Sequence, residues 1–252
     1  MAAPRRVPEG PAPDPAVQRL RIRYAKRGRM RFTSTRDFQR ALERAVRRAG
    51  LPVAFSGGFH PHPKISYANA APTGAASEAE YVEVALCELV DPSGVAALLD
   101  ASLPVGLDVV EVVDADDLDG ALADRLQGSL WALRFRAGGT DLEGMASAVT
   151  ALLAAPRVTV TRMMKKGPRE LDVREALLDL RQSVDPLPAV PVQEGDVVLL
   201  AALLHLTPTV RPDELWAALR EVSGLDLSRP VSTRLRQGPV VDGTVAESLD
   251  AR

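Results

Sequence analysis

The feature that most constrains the fold is the way the hydrophobic period changes along residues 17–114. "AVQRLRIRYAK" carries apolar side chains at alternate positions, which predicts a strand with one buried and one cationic face. Ser34 and Asp37 have the spacing of a capping box, and apolar residues then recur at helical spacing as far as Gly50. Further strands are predicted at "LPVAFS", "EYVEVALCELV" and "VGLDVVEVVDA", with a helix at "DPSGVAALLDASLP" before the last of them. The resulting order is β-α-β-β-α-β.

This order is the ferredoxin-like pattern, in which two helices cover one face of an antiparallel sheet. A similar order follows an acidic, small-residue stretch, beginning with the strand pattern "SLWALRFRA" and ending with "RPVSTRLRQ". We therefore predict an α+β protein made of two tandem ferredoxin-like domains. The predicted boundaries are a disordered N-terminal lead at 1–16, a first domain at 17–114, a linker at 115–128, a second domain at 129–237 and a disordered tail at 238–252.

Composition limits the classes of protein and site that this chain can form. Its longest apolar run, residues 197–206, is about half of what a membrane-spanning helix requires, and the N-terminus has no apolar signal region. These features predict a cytoplasmic location. The single cysteine, Cys87, excludes a disulfide framework, a paired-cysteine zinc site and an iron–sulfur cluster held by several thiolates of this chain. Only three histidines are present, so we expect no metal site.

The formal net charge of −2 conceals a strong segregation of charge. Residues 19–48 contain twelve basic residues and two acidic ones, whereas residues 65–124 contain no lysine or arginine. On the predicted first helix, arginines at i, i+4, i+8 and i+11 form one stripe, which is either a solvated face or a phosphate-binding surface. The expected basic surface combines this stripe with cations of the preceding strand and the following loop: Arg21, Arg23, Arg36, Arg40, Arg44, Arg47 and Lys64. Lys165 and Lys166 belong to a smaller basic cluster in the second half. Aromatic residues make up only 4% of the chain, which favours recognition of backbone and shape over base stacking.

The loop within "FSGGFHPHPKISYANAAPTGAASEAEY" carries the candidate chemistry. Ser56, Gly57 and Gly58 can arrange consecutive backbone N–H groups around an anion. His60 and His62 each precede a proline, which restricts them to extended geometry. These imidazoles could bind phosphate, act as acid and base or ligate a metal; alternatively, the prolines only stiffen a long connection. The catalytic candidates are His60, His62 and Glu80, the last only if its side chain points into the loop.

Three segments of the first half carry a resemblance to a known family. They are "RRAGLP" at residues 47–52, the Ser-x-Gly-Phe-x-Pro-x-Pro pattern at residues 56–63 and Ser-x-x-Glu-Tyr at residues 77–81. In this order they resemble the radical SAM-linked protein family, a domain of unknown function encoded beside or fused to a radical SAM protein. Two positions depart from the pattern: Thr35 stands where relatives often have histidine, and His60 where they often have asparagine.

The resemblance implies a companion of a radical SAM enzyme. S-adenosylmethionine and an iron–sulfur cluster are then expected on the partner only, with no cofactor in this chain. The family's genes often lie near those of ribonuclease E/G-type proteins, which favours an RNA substrate. We therefore expect a non-catalytic module that binds RNA, either tRNA or rRNA, for this partner. One alternative is an RNA-processing or RNA-modifying enzyme that uses His62 and His60 as acid–base groups, and another is a protein adaptor that binds no nucleic acid.

Overall fold

The computed structural model describes residues 13–138 and 142–249. The helices are α1 (Thr35–Arg48), α2 (Pro92–Ser102), α3 (Leu122–Arg125), α4 (Met145–Ala154), α5 (Val173–Ala176) and α6 (Pro212–Ser223). The strands are β1 (Gln18–Lys26), β2 (Ile65–Ala68), β3 (Ala76–Leu86), β4 (Leu107–Asp114), β5 (Gly128–Phe135), β6 (Thr159–Met164), β7 (Gly167–Asp172), β8 (Leu177–Gln182), β9 (Val197–Leu204), β10 (Val231–Gly238), β11 (Val240–Val241) and β12 (Thr244–Val245). Short 3-10 helices lie at Gly28–Phe32 and Ala115–Asp117. None of the helices in this described part of the chain is both long and apolar enough to cross a bilayer.

One large sheet runs through both halves of the molecule. Its strand order is β4-β1-β3-β10-β5-β9-β8, and β2 pairs with part of β3. Every pair is antiparallel except β3 with β10, where Thr233 lies opposite Ala76 and Arg234 opposite Ser77. The α+β class, with a mostly antiparallel sheet that carries helices, is confirmed. The expected separation into two sheets is wrong, because β3 extends beyond β2 and leaves an edge with which β10 pairs.

The first helix forms where its cap and its apolar spacing predict it. The Ser34 hydroxyl accepts a hydrogen bond from the Asp37 amide at 3.2 Å, which satisfies one free N–H of the first turn. The apolar face of α1 packs on β1, β3 and α2, and its buried residues are Phe38, Ala41, Leu42, Ala45 and Val46. The opposite face of α1, which carries the arginines, is therefore left in solvent.

The strand predicted at "LPVAFS" does not form. This segment makes only isolated bridges, from Val53 to Leu86 and from Phe55 to Pro63. The place on β3 that this strand was expected to take is occupied by β2, which lies inside the segment predicted as a loop. Ile65 and Tyr67 of β2 pack against the core beneath α1, so the burial of these two side chains fixes the pairing.

The segment after Gly238 is also structured, which corrects the predicted disordered tail as far as residue 249. It forms β11 and β12, and Val245 and Leu249 are buried. Leu249 packs with Tyr81 and with leucines of the predicted linker, on the face of the sheet opposite α1. Both segments therefore cover a sheet face that would otherwise expose apolar side chains.

Gly238→Ala is expected to lower the free energy of unfolding by about 1–3 kcal/mol, because the added methyl group must fit into a region that is already closely packed. A Cβ at this position would lie 2.3 Å from the Ala246 carbonyl oxygen, so the terminal segment must move. Urea unfolding, together with proteolysis of the C-terminal segment, measures the effect. The matched control is Gly57→Ala, whose new atom would come no closer than 3.9 Å to Pro13. Equal stability of the two variants would contradict the tight packing at Gly238.

Candidate functional site

The exposed face of α1 carries a row of arginines. Arg36, Arg40 and Arg44 are exposed, and none makes an ion pair with another residue of the described ranges. Arg47 also lies on this face, where its guanidinium donates to the Glu43 carbonyl oxygen at 3.2 Å and lies 3.9 Å from the Glu43 carboxylate. Like charges one helical turn apart repel each other, so this row favours a polyanion as its counterpart.

The loop that follows α1 is a closed hairpin tip. The Ser56 amide donates to the His62 carbonyl oxygen at 2.8 Å, and the His62 amide donates to the Ser56 hydroxyl at 3.0 Å. Gly58 has a φ of +114°, a conformation that side-chain-bearing residues rarely adopt. Between these two pairing residues, Gly57, Gly58 and His60 are exposed. The serine predicted to help bind an anion therefore closes the loop.

A groove of about 490 Å³ separates this loop from the C-terminal half of α1. Arg47 and Glu43 line it from the helix, while Phe55 and His62 line it from the loop. Its floor is apolar and is formed by Val46, Leu51, Val53 and Ile65. The structure thus brings two of the predicted site residues, Arg47 and His62, to one surface. Lys64 is exposed just beyond the loop and does not line the groove.

Two predicted members of the basic surface lie elsewhere, which is a correction. Along β1, Leu20, Ile22 and Tyr24 face α1, so Arg21 and Arg23 point to the opposite face of the sheet. Arg21 is buried and pairs with Glu83 at 3.0 Å. Arg23 pairs at 3.0 Å with Glu247 of the terminal segment. Both cations are thus neutralised by carboxylates of this chain and cannot extend the arginine row.

Lys165 and Lys166 are exposed at the turn between β6 and β7. This hairpin forms a separate two-stranded sheet, and it packs against α5 and α6 of the second half. Its basic residues therefore belong to a different surface from that of α1.

Glu80 does not point into the loop. Its side chain is buried, accepts a hydrogen bond from the Ala71 amide at 2.9 Å and pairs with Arg234 Nη1 at 3.0 Å. The Arg234 guanidinium stacks over the Trp131 ring at 4.7 Å from its centroid. Glu80 is therefore one half of a buried ion pair that joins β3 to β10.

Sequence reasoning missed the polar cluster around this pair. Lys26 is buried beside it and donates to the Ala71 carbonyl oxygen at 3.2 Å. Burial lowers the pKa of Lys26, while the Glu80 carboxylate acts in the opposite direction. A lysine in a strand with alternating apolar residues is usually exposed. The sequence hinted that Lys26 is buried only through its place at the end of a strand whose other face was predicted to be buried.

His205 extends the cluster from the end of β9. Its Nδ1 lies 2.6 Å from the Leu126 carbonyl oxygen, so this nitrogen carries the proton. Its Nε2 then accepts from the Ser129 hydroxyl at 2.7 Å. Burial lowers the pKa of His205 to about 4; the Leu126 hydrogen bond opposes this shift and Arg234 adds to it. The imidazole is therefore neutral near pH 7, with both nitrogens occupied.

Among residues 13–138 and 142–249, no three histidine, cysteine, aspartate or glutamate side chains are grouped so that they could hold a metal ion.

Comparison with known proteins places this chain in a bacterial family. No curated protein matches the chain. A family model described as an uncharacterized protein conserved in bacteria, DUF2344, matches residues 19–222, which include α1, the hairpin loop, Glu80 and His205. Because the match covers most of the sequence, the chain belongs to the DUF2344 family.

Proposed function

We propose that this protein binds RNA on the surface formed by α1 and the adjacent loop, as an accessory protein of a radical SAM enzyme. The observation that carries the RNA-binding role is the row of exposed arginines on α1, Arg36, Arg40 and Arg44, which pair with no carboxylate in the described part of the chain. Arg36, Arg40 and Arg44 follow one another at intervals of about 6 Å along the helix axis, so the row can contact successive charges of an extended polyanion.

The loop adds features that favour single-stranded RNA. Phe59 and Phe55 are 60% and 42% exposed, and Phe55 lines the groove beside His62 and Arg47. Exposed aromatic rings next to basic side chains suit stacking with unpaired bases. The low overall aromatic content argued against stacking, but these two phenylalanines are concentrated where the basic residues are.

The radical SAM partner rests on the resemblance of the loop and its flanking segments, and it would supply S-adenosylmethionine and the iron–sulfur cluster. The substrate class proposed with it is tRNA or rRNA. The proposal also interprets the sheet as two ferredoxin-like units, since β4-β1-β3-β2 is followed by the matching order β10-β5-β9-β8. In this arrangement the β6–β7 hairpin is an insertion in the second unit.

An acid–base role for the loop has less support. His60 and His62 are exposed, and within the described residues no side chain orients either imidazole by a hydrogen bond. A general base needs an orienting partner and a fixed distance to its substrate proton. We therefore propose contact with RNA, rather than proton transfer, as the role of His62.

Arg40→Glu combined with Arg44→Glu is expected to weaken RNA binding about tenfold or more, because two phosphate contacts become repulsive. Fluorescence anisotropy with a mixed-sequence single-stranded RNA and with bulk tRNA, over a range of salt concentrations, measures the loss. Wild-type affinity should fall steeply with salt, and the variant should show a smaller salt slope.

The matched control is Lys165→Glu with Lys166→Glu, which changes the net charge by the same amount on the other basic surface. This control should bind RNA within about threefold of wild type. Equal losses in the two double variants would show non-specific attraction and reject α1 as the site. Wild-type binding that does not respond to salt would reject backbone recognition.

A further inference from the structure

A second pocket lies on the helix-bearing face where the two halves of the sheet meet. It has a volume of about 180 Å³ and lies between the residues that follow β2 and the start of α6. Nine of the described residues line it; they include two arginines, Arg211 and Arg234, and none of the nine is a carboxylate. The remaining polar lining comes from Asn69, His205 and Thr209. The pocket is therefore small, concave and positively charged.

The buried end of this pocket has unused hydrogen-bonding capacity. Arg234 is only 4% exposed, and its Nη1 donates to Glu80 at 3.0 Å and to the Asn69 carbonyl oxygen at 2.8 Å. Its Nε is buried, and none of the residues that the structure describes accepts a hydrogen bond from it. Leaving a charged donor unpaired in the interior is costly, so an acceptor is expected close to it.

The buried charges around Arg234 also indicate that an anion binds there. Lys26 and Arg234 are both buried, and both are linked to the single carboxylate of Glu80, directly or through Ala71. Two basic side chains thus share one acidic side chain. An anion beside Arg234 would compensate the remaining positive charge.

The outer end of the pocket adds an exposed cation. Arg211 is the residue before α6, and its amide donates to the Glu214 carboxylate at 2.8 Å, so the helix N-terminus is already capped and the guanidinium of Arg211 is what faces a ligand. Arg211 is exposed, and within the described ranges its guanidinium makes no ion pair. The first-turn carboxylates of the helix are already engaged, Glu214 by Arg162 and Asp213 by Arg229. They leave the charge of Arg211 uncompensated.

We propose that this pocket binds a phosphate group, held by the guanidinium groups of Arg234 and Arg211. The volume of 180 Å³ is below the range of about 300–1,000 Å³ that is typical of sites for drug-sized ligands, which favours a compact anion over a whole nucleotide. Both ring nitrogens of His205 are used by Leu126 and Ser129, so the two arginines supply the charge. The proposal does not depend on RNA binding by α1.

The test is the titration of the full chain with inorganic phosphate at constant ionic strength, followed by ³¹P NMR line broadening and by thermal denaturation. We expect saturable broadening and a rise in Tm that chloride does not reproduce. Arg211→Ala should weaken phosphate binding about tenfold, because one of two charge-assisted contacts is lost. The matched control is Arg169→Ala, which removes an exposed arginine of β7 that does not line the pocket and should leave phosphate binding unchanged.

A second variant tests the buried end. Replacing both members of the pair, as Glu80→Gln with Arg234→Gln, keeps a polar side chain at each position and removes both charges together. Its fold is checked by circular dichroism, and a folded double variant should show no saturable phosphate binding. Equal affinity of wild type and Arg211→Ala, or equal effects of phosphate and chloride on wild type, would overturn the proposal.

The source of the phosphate is resolved by comparing two probes. Tighter binding of inorganic phosphate than of methyl phosphate identifies a free ion as the ligand. Tighter binding of methyl phosphate identifies the phosphate group of a larger molecule, whose remainder extends out of the pocket beside Arg211. No residue of α1 is among the described residues that line this pocket, so the result for the two probes can be told apart from the outcome for RNA.

Discussion

Replacement of Glu80 by alanine is expected to lower the free energy of unfolding by about 3–5 kcal/mol, which is the usual effect of breaking a buried ion pair from one side. The substitution leaves Arg234, which is 4% exposed, without its carboxylate in the interior. It also removes the acceptor of the Ala71 amide. Urea unfolding followed by circular dichroism gives the difference between wild type and variant.

The matched control for this prediction is Glu78→Ala, two residues earlier on β3. Glu78 pairs with Arg27, whose side chain is 49% exposed. Pairs in contact with solvent contribute about 0–1 kcal/mol, so the control should lose little stability. A loss at Glu80 no larger than the loss at Glu78 would contradict the description of the pair between Glu80 and Arg234 as a buried link between the halves.

Acidification is expected to destabilise the fold through His205. The folded protein holds the pKa of this imidazole at about 4, whereas the unfolded chain has an ordinary histidine with a pKa of about 6.5. The stabilisation is fully present above pH 6.5 and is lost as the pH falls to about 4, because the unfolded state takes up the proton first. The loss amounts to about 2–3 kcal/mol once partial exposure of the ring is allowed for.

Unfolding free energies measured between pH 7 and pH 5 test this expectation, since most carboxylates remain ionised over this interval. His205→Gln keeps a donor and an acceptor in the side chain and removes the titration. Its stability should change less over the interval than that of wild type. An equal pH dependence in the two proteins would show that His205 is not the group responsible.

Local sequence patterns predicted individual helices and strands of the first half better than they predicted which strands pair with one another. The capping residue Ser34, the apolar face of α1 and the alternation along β1 are properties of neighbouring residues, and all three are present in the structure. The segment "LPVAFS" has strand-like composition, but its place on β3 is taken by β2, because Ile65 and Tyr67 bury their side chains under α1. Competition between two segments for one edge cannot be decided from either segment alone.

The candidate site was predicted in part for the same reason. The arginines of α1 share a face because the helix repeat places them there. The arginines of β1 alternate just as regularly, but their partners, Glu83 and Glu247, are 62 and 224 residues away along the chain. The pocket at Arg234 depends on residues from four separate segments, and no sequence spacing connects them.

The position of β10 has a consequence for how this protein assembles. The strand lies in the middle of the sheet, yet its residues, Val231–Gly238, come after all other strands of that sheet in the chain. Until the ribosome has released them, the two halves have no shared strand pairing, and Glu80 has no guanidinium from β10 beside it. Closure of the sheet and formation of the buried pair between Glu80 and Arg234 are therefore one coupled event, which follows the synthesis of every other strand of the sheet.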